Sequence, residues 1–217
     1  MFEYSGIRIS WLGHDCFRIK DSKTIYIDPY QIAGGEPADI LLISHEHYDH
    51  CSIEDARKIT SPSTVVITTE ACKESLSTLK VREIKSVKPG DKQVVGDVSI
   101  EAVPAYNVNK FRAPGKVFHP KEDQKVGFIV TLKGVRVYHT GDSDLIPEMK
   151  DLKADIALLP VSGTYVMTAE EAAEATKVIK PKLAIPMHYG AIVGSEKDAE
   201  KFKRLASCAV QILTKER

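Results

Sequence analysis

Short apolar runs punctuated by turn residues organise the chain. Ile7–Leu12, Cys16–Lys20 and Thr24–Asp28 read as strands, with a turn at Gly13-His14-Asp15 between the first two. Asp39–Ser44 is apolar almost without interruption, as expected of a strand covered on both faces. The spacing Ser52-x-x-Asp55 opens a short helix to about Ile59. Thr64–Thr68 predicts a strand and Glu70–Leu79 a helix. The second half repeats this grammar. Val98–Val103 is a strand, Val126–Leu132 and Val135–Thr140 pair as a hairpin across Lys133-Gly134, and Ile156–Pro160 and Leu183–Met187 are further apolar strands. Thr168-x-x-Glu171 caps a helix through Lys180, with Ala172, Ala175 and Ile179 on one face. Ser195-x-x-Asp198 caps a last helix with Ala199, Phe202 and Leu205 inward, and Val210–Leu213 closes the chain.

Two strand-rich halves carrying helices predict an α/β fold of the αββα four-layer sandwich type, two mixed sheets face to face with helices outside. A doubly wound parallel sheet fits less well, because the hairpins require antiparallel pairing. No low-complexity tract or Ser/Gly linker interrupts the chain, so residues 1–217 are expected to form a single domain. The longest irregular stretch, Asn107–Gln124, is rich in Lys, Pro and Gly. A loop of that length in a compact domain is often functional.

Composition narrows the function classes. Apolar residues make up 43% of the chain, enough for a core without disulfides, and the four cysteines form no C-x-x-C pair. Lys/Arg and Asp/Glu balance at 30 each, so no overall basic field is available for a nucleic-acid backbone. The first residues lack a leader pattern, and no stretch approaches the ~18 apolar residues of a membrane span. A cytoplasmic protein without a membrane partner is expected.

Chemistry concentrates in His45-Glu46-His47-Tyr48-Asp49-His50, directly after an apolar run. An exposed polar loop would account for any one of these side chains. It accounts poorly for four coordinating residues within six positions. Neutral imidazole and carboxylate are the usual ligands of zinc and related divalent ions.

This block resembles the H-x-H-x-D-H signature of the metallo-β-lactamase superfamily, and further blocks follow in that family's order. "TIYIDP" (Thr24–Pro29) resembles its strand ending in Asp, "YHTGDSD" (Tyr138–Asp144) its Gly-Asp motif, and "IPMHYG" (Ile185–Gly190) the block with its last histidine ligand. "WLGHDCF" (Trp11–Phe17) and "ALLPVSGTYVMTAEEAA" (Ala157–Ala173) look like the small-hydrolase branch that includes ascorbate phosphate lactonase-like proteins. The resemblance implies two divalent ions per chain, Zn2+ first and Mn2+ second. His45 and His47 would hold one ion; Asp49, His50 and His188 would hold the other; Asp142 would bridge them. Asp49 would also orient the nucleophile.

One position departs from the family pattern. A further histidine for the first ion is expected where this chain has Asn107, and His119 lies a dozen residues on. Three readings stand. His119 substitutes as ligand, Asn107 coordinates through its amide oxygen, or the first ion is held loosely. His119 is favoured because imidazole binds these ions better than an amide does. A surface histidine beside Pro120 is the plainer alternative.

The remaining candidates are supporting residues. His14 would contact substrate or donate to a ligand, against a turn histidine facing water. Asp28 would anchor a ligating histidine through its other N–H. His139 is read as structural, and Cys51 is not read as a ligand despite following His50. Tyr189 and Tyr165 could each donate to a substrate oxygen or serve as packing aromatics. Lys110, Arg112, Lys116 and Lys121 would favour an anionic substrate if their loop covers the pocket.

The expectation is therefore a metal-dependent hydrolase in which metal-bound water cleaves an ester, lactone or phosphoester of a small anionic molecule. A nucleic-acid phosphodiesterase and a di-iron redox protein are the alternatives. Zero net charge counts against the first, and His47, where the related oxygen-reducing flavoproteins carry glutamate, against the second. A non-catalytic binding module is disfavoured by the ligand set. A homo-oligomer is compatible with the sequence.

Overall fold

A computed structural model describes residues 1–216. Its first sheet runs β1 (Phe2–Tyr4), β2 (Ile7–Gly13), β3 (Cys16–Lys20), β4 (Thr24–Ile27), β5 (Ile40–Leu42), β6 (Val65–Thr68) and β7 (Glu83–Ser86), in sequence order. Pairing is antiparallel from β1 to β4 and parallel from β4 to β7. The second half contributes β8 (Lys92–Val95), β9 (Val98–Pro104), a separate hairpin of β10 (Phe111–Ala113) and β11 (Lys116–Val117), then β12 (Val126–Leu132), β13 (Val135–His139), β14 (Ile156–Pro160), β15 (Leu183–Met187) and β16 (Ala209–Val210). The second sheet has the order β16-β15-β14-β13-β12-β9-β8. It is antiparallel from β8 to β13 and parallel from β13 to β16. Four helices accompany the sheets: α1 (Ile53–Ile59), α2 (Lys73–Leu76), α3 (Ala169–Ile179) and α4 (Glu196–Leu205). The result is the αββα sandwich that the pattern predicts.

Strand β5 shows why its run is apolar throughout. Ile40 and Leu42 face the core shared with the second sheet, alongside Ile25, Ile67, Phe128 and Val130. Leu41 and Ile43 face the other way, into a cluster with Ala56 and Ile59 of α1 and Leu76 of α2. Alternation would leave one face polar; two buried faces remove it. Ser52 caps α1 by accepting from the Asp55 amide, and Thr168 and Glu171 form a reciprocal capping box on α3. Helices α3 and α4 pack on each other and on β14 and β15.

Several expectations are corrected. The 70–79 helix breaks down to a 3-10 turn at Glu70–Cys72 and the four-residue α2, because Ser77 donates its hydroxyl to the Glu74 carbonyl and closes the turn early. Leu205 is 46% exposed whereas Ala199 and Phe202 are fully buried. At about 100° per residue, a position six along from Ala199 has rotated off the inward face. The closing strand is only Ala209–Val210. Strands β1, β7 and β8 lie at sheet edges and span only three or four residues each, so backbone pairing rather than a long apolar run makes them. The 107–124 stretch contains the β10–β11 hairpin and a 3-10 turn at Lys121–Asp123.

Strands β4 and β5 of one sheet and β13, β14 and β15 of the other end at the same edge of the sandwich, so the segments that follow them converge. Ligand sites in α/β sheets favour such carboxyl ends. The β13 end comes close to β12 at Gly127. A Cβ on Gly127 would stand 2.6 Å from the His139 carbonyl oxygen and 2.7 Å from that of Thr140. Both obstacles are backbone. Gly127→Ala is expected to destabilise the fold by about 1–3 kcal/mol. Urea unfolding of the metal-free protein checks this, and an unchanged midpoint would refute the close approach.

Candidate metal centre

The segment after β5 is held from below by Asp28, which follows β4. Asp28 accepts from the Ser44 amide at 2.7 Å and the Ser44 hydroxyl at 2.6 Å. His50 Nδ1 lies 2.8 Å from the same carboxylate. Since a carboxylate only accepts, His50 keeps a proton on Nδ1, and Nε2 is the atom left to face a cation. Ser44 has spent its proton on Asp28, so His45 Nδ1–H donates to its oxygen at 2.9 Å and His45 also presents Nε2. His188, directly after β15, follows the same logic. Its Nδ1 meets the Ser162 hydroxyl at 2.9 Å, and that hydroxyl points on to the Thr164 carbonyl. Three imidazoles are thus oriented with Nε2 inward.

These atoms converge in overlapping groups able to hold a cation. The first is His45, His47, His119 and Asp142. His47 Nδ1 stands 3.1 Å from His45 Nε2 and 3.3 Å from His119 Nε2; Asp142 Oδ2 is 3.8 Å from His45 and 3.5 Å from His119. The second gathers around His50 and His188, whose Nε2 atoms lie 3.2 Å and 3.6 Å from Asp142 Oδ1. Donors each about 2.1 Å from one ion stand about 3.0–3.4 Å apart at right or tetrahedral angles, so the spacing fits. The Nε2 atoms of His50 and His188 and Asp142 Oδ1 are buried without a hydrogen-bond partner. A cation would satisfy them.

The structure brings His119 into this cluster, 1% exposed, and so away from the surface alternative. Asn107 does not point its amide at the donors. It binds the His119 backbone twice, through N–H to the carbonyl at 2.8 Å and through Oδ1 to the amide at 2.9 Å, and donates to the Tyr165 carbonyl at 2.8 Å. Asn107 thereby clamps the segment after β11 that carries His119. His14 is buried, not turned to water, and its Nε2 lies 3.1 Å from Asp49 Oδ2. His139 stays out of the donor groups. It accepts from the Gly141 amide at Nδ1 and therefore donates from Nε2 to the Asp15 carbonyl at 2.9 Å. Cys51 faces the apolar cluster behind β5.

Asp15 was not singled out from sequence. It is fully buried, with Oδ2 3.5 Å from His50 Nε2 and 4.0 Å from His188 Nε2. The signal was a carboxylate beside a histidine in a glycine turn. Ser44, Ser162 and Lys125 were likewise unread; Lys125 is buried and pairs with Glu46.

Burial and mutual charge divide the imidazoles. Burial, with the neighbouring histidines, holds His45 well below its ordinary pKa and His119 down to about 4. Burial works the same way on His50 and His188, but carboxylates outweigh it and raise both, Asp142 and Asp28 for His50, Asp15 and Asp142 for His188. Burial opposes the charge on Asp142, and His50 and His188 overcome it, holding the carboxyl well below the ordinary range. Left-handed backbone occurs here as it does at other turns of the chain. His14, Asp28 and His188 adopt positive φ values of 50°, 45° and 58°, which cost about 1 kcal/mol or more each away from glycine.

A family profile describing the beta-lactamase superfamily domain matches residues 8–188. The chain belongs to the metallo-β-lactamase superfamily, in its small metal-dependent hydrolase branch. A metal-dependent hydrolase of Methanoculleus marisnigri is 34% identical over 209 residues, covering 91% of this chain and 88% of the relative. One from Archaeoglobus fulgidus is 33% identical over 215 residues, covering 91% and 90%. The crystal structure of a candidate metal-dependent hydrolase from Parabacteroides distasonis superposes with a TM-score of 0.82 at 34% identity, covering 96% of this chain and 94% of the other.

In this hydrolase the donors open into a cleft of about 510 Å³ lined by Glu46, His47, Asp49, His119 and Asp142 below and by Tyr48, Phe118, Tyr165 and Ile192 on its walls. None of the four basic side chains of the 107–124 stretch lines it. Lys110 is drawn to Asp144 at 3.3 Å and Glu171 at 2.7 Å, and Lys121 to Glu148 at 2.7 Å. The basic side chains of this stretch therefore do not face the cleft: Lys110 and Lys121 are held by carboxylates, and Arg112 and Lys116 are exposed outside its lining. Tyr189 does not line the cleft either; its ring stacks on Trp11 at 4.8 Å. Tyr165 does, edge-on to Phe118 at 4.7 Å. No helix among the described residues is long and apolar enough to cross a membrane.

Asn107→Ala keeps every donor but releases the His119 backbone. It is expected to weaken metal binding by about ten- to a hundredfold, measured by calorimetric titration of the chelator-treated protein. Affinity equal to wild type would show that the clamp is dispensable. The two groups should also differ with pH. His119 is already neutral above about pH 4, so the first group offers free lone pairs at neutral pH. The raised pKa values of His50 and His188 mean that protons must leave before a cation binds there. Acidification from neutral pH should therefore weaken binding at the His50/His188 group first, with proton release visible as buffer-dependent binding heat. Equal weakening of both groups would contradict the assignment.

Proposed function

We propose that this hydrolase cleaves an ester or lactone bond in a small molecule with an apolar or aromatic flank, using two divalent ions, zinc by default and manganese as the nearest alternative. The observation that carries the reading is Asp142, whose two oxygens face different donor groups at the floor of a cleft with aromatic walls. When bound, such an ion pair supplies Lewis acidity and lowers the pKa of water.

The chain's own residues do the rest. Asp142 would tie the two groups together. Asp49 reaches the cleft floor, and its Oδ2 is engaged by His14 at 3.1 Å. Burial opposes its charge, while that hydrogen bond and His50 hold the carboxyl below its ordinary range. Asp49 is thus anionic, and Oδ1 is left to accept a hydrogen bond from the attacking water and orient it. The hydroxyls of Tyr165 and Tyr48, both lining the cleft, are uncharged donors available to a developing oxyanion. Phe118, Tyr48 and Ile192 would seat the apolar flank and exclude water. A phosphoester fits less well, because no Lys or Arg lines the cleft to share the phosphate charge.

Chelator treatment should abolish hydrolysis of aryl esters and lactones, and Zn2+ or Mn2+ should restore it. Asp142→Ala should lower kcat/KM by more than about a hundredfold. Phe118→Ala should raise KM for an aryl ester about two- to tenfold, the equivalent of an aromatic contact of ~0.5–1.5 kcal/mol, with little change for a short aliphatic ester. Turnover of bis(p-nitrophenyl) phosphate in preference to every ester and lactone would overturn the substrate class in favour of a phosphodiesterase.

A further inference from the structure

Asp15 has no work to do in the account above, and its position is costly. It is fully exposed to neither water nor a donor: both carboxylate oxygens are buried without a hydrogen-bond partner. A buried carboxylate that accepts no hydrogen bond, with only the His50 and His188 imidazoles beside it, is costly for a fold to carry. Nothing nearby excuses the position as a packing choice, since Cys16 and Phe17 on either side of the following bond fill the core.

The placement is nonetheless built. The preceding turn is fixed by two donors to the His14 carbonyl, Trp11 Nε1 at 2.8 Å and the His188 amide at 3.2 Å. Asp15's own carbonyl is gripped by His139 Nε2 at 2.9 Å, and the other nitrogen of that ring accepts from the Gly141 amide, next to Asp142. The β2–β3 turn is therefore tied to the β13 end and to the residue after β15. Held this way, Asp15 Oδ2 stands 3.5 Å and 4.0 Å from the free Nε2 atoms of His50 and His188. Asp15, His50, Asp142 and His188 form one donor group, every member buried.

Resting on the metal-dependent reading above, we infer that Asp15 is a direct ligand of the cation held by His50 and His188, and that it biases this position towards a harder, oxygen-preferring ion such as Mn2+. The group at His45, His47 and His119 offers three imidazoles and one shared carboxylate, a nitrogen-rich set suited to Zn2+. The group at His50 and His188 has carboxylates of Asp142 and Asp15 within reach, with Asp49 at 4.0 Å from His50, and His14 and Asp49 form an overlapping donor group with the same two histidines. Carboxylate-rich sets of higher ligand number suit manganese better than tetrahedral zinc. The two positions then differ in metal preference, and Asp15 is the residue that makes them differ.

The test compares wild type, Asp15→Asn and Asp15→Ala, each stripped with chelator and titrated separately with Mn2+ and Zn2+ by calorimetry, with Mn2+ also counted by electron paramagnetic resonance. Asp15→Asn keeps the shape and removes the charge. Both variants are expected to lose Mn2+ affinity by on the order of ten- to a hundredfold at the His50/His188 position. Zn2+ binding at the other position should be unchanged. Thermal unfolding supplies an independent readout. The metal-free variants should melt no lower than metal-free wild type, because a buried carboxylate that accepts no hydrogen bond has been removed, and the rise in Tm on adding Mn2+ should shrink. Variants that fold and bind Mn2+ like wild type would overturn the inference while leaving the hydrolase reading intact. Metal-free variants that melt much lower, or fail to fold, would show a structural Asp15 and overturn it equally. Wild type that binds neither cation would overturn the metal-centred reading itself.

Discussion

The carboxylate of Asp142 is buried among His45, His50, His119 and His188, at the seam where the two sheets meet. A charge in that position is tolerable only if positive charge surrounds it. Part comes from protons on His50 and His188, whose affinity for them is raised. Imidazoles of the other group are held neutral and contribute lone pairs instead. A cluster with more acceptors than protons is completed by a cation, and the unpartnered atoms around Asp142 mark where one belongs. Much of the architecture can be understood as holding this cluster together against its own electrostatic cost.

Support for the cluster comes from outside it. Asp28 and Ser44 fix the ring orientation of His50 and His45, and Ser162 fixes that of His188. Asn107 fixes the backbone of His119 without presenting an imidazole of its own. The backbone at His14, Asp28 and His188 is held in a left-handed conformation that other residues avoid. The apolar interior shared by the sheets bears the cost of that strain. Stability and chemistry are separated in space: the core lies between the sheets, and the strained turns lie at the strand ends.

Family membership explains the donors but not the walls. One fold serves many substrates, and selectivity belongs to the residues that line the approach. Phe118 and Tyr165 come from segments far apart in sequence and meet at the cleft mouth. Charged side chains on the same irregular stretch are drawn off to Asp144, Glu171 and Glu148. What remains facing a ligand is aromatic surface above a charged floor, a combination that suits a molecule with one polar reacting bond and an apolar body.

The local pattern by itself determined the inner strands, the caps of α1 and α3, and the histidine block, because each depends on neighbours within a few residues. Asp39–Ser44 needed no alternation once both faces were covered, and four coordinating residues crowded into six positions had no cheaper explanation. Edge strands β1, β7 and β8 escaped notice because inter-strand backbone pairing, not side-chain pattern, creates them. Only the tertiary structure places His119 among the donors and turns the Asn107 amide to the His119 backbone, since that depends on which side chain a folded loop points inward. It alone turned Lys110 and Lys121 away from the cleft, stacked Tyr189 on Trp11, and carried Asp15 from an unremarked turn to within 3.5 Å of His50. Contacts between residues more than a hundred positions apart are set by how the sheets stack, and no local window of sequence contains that information.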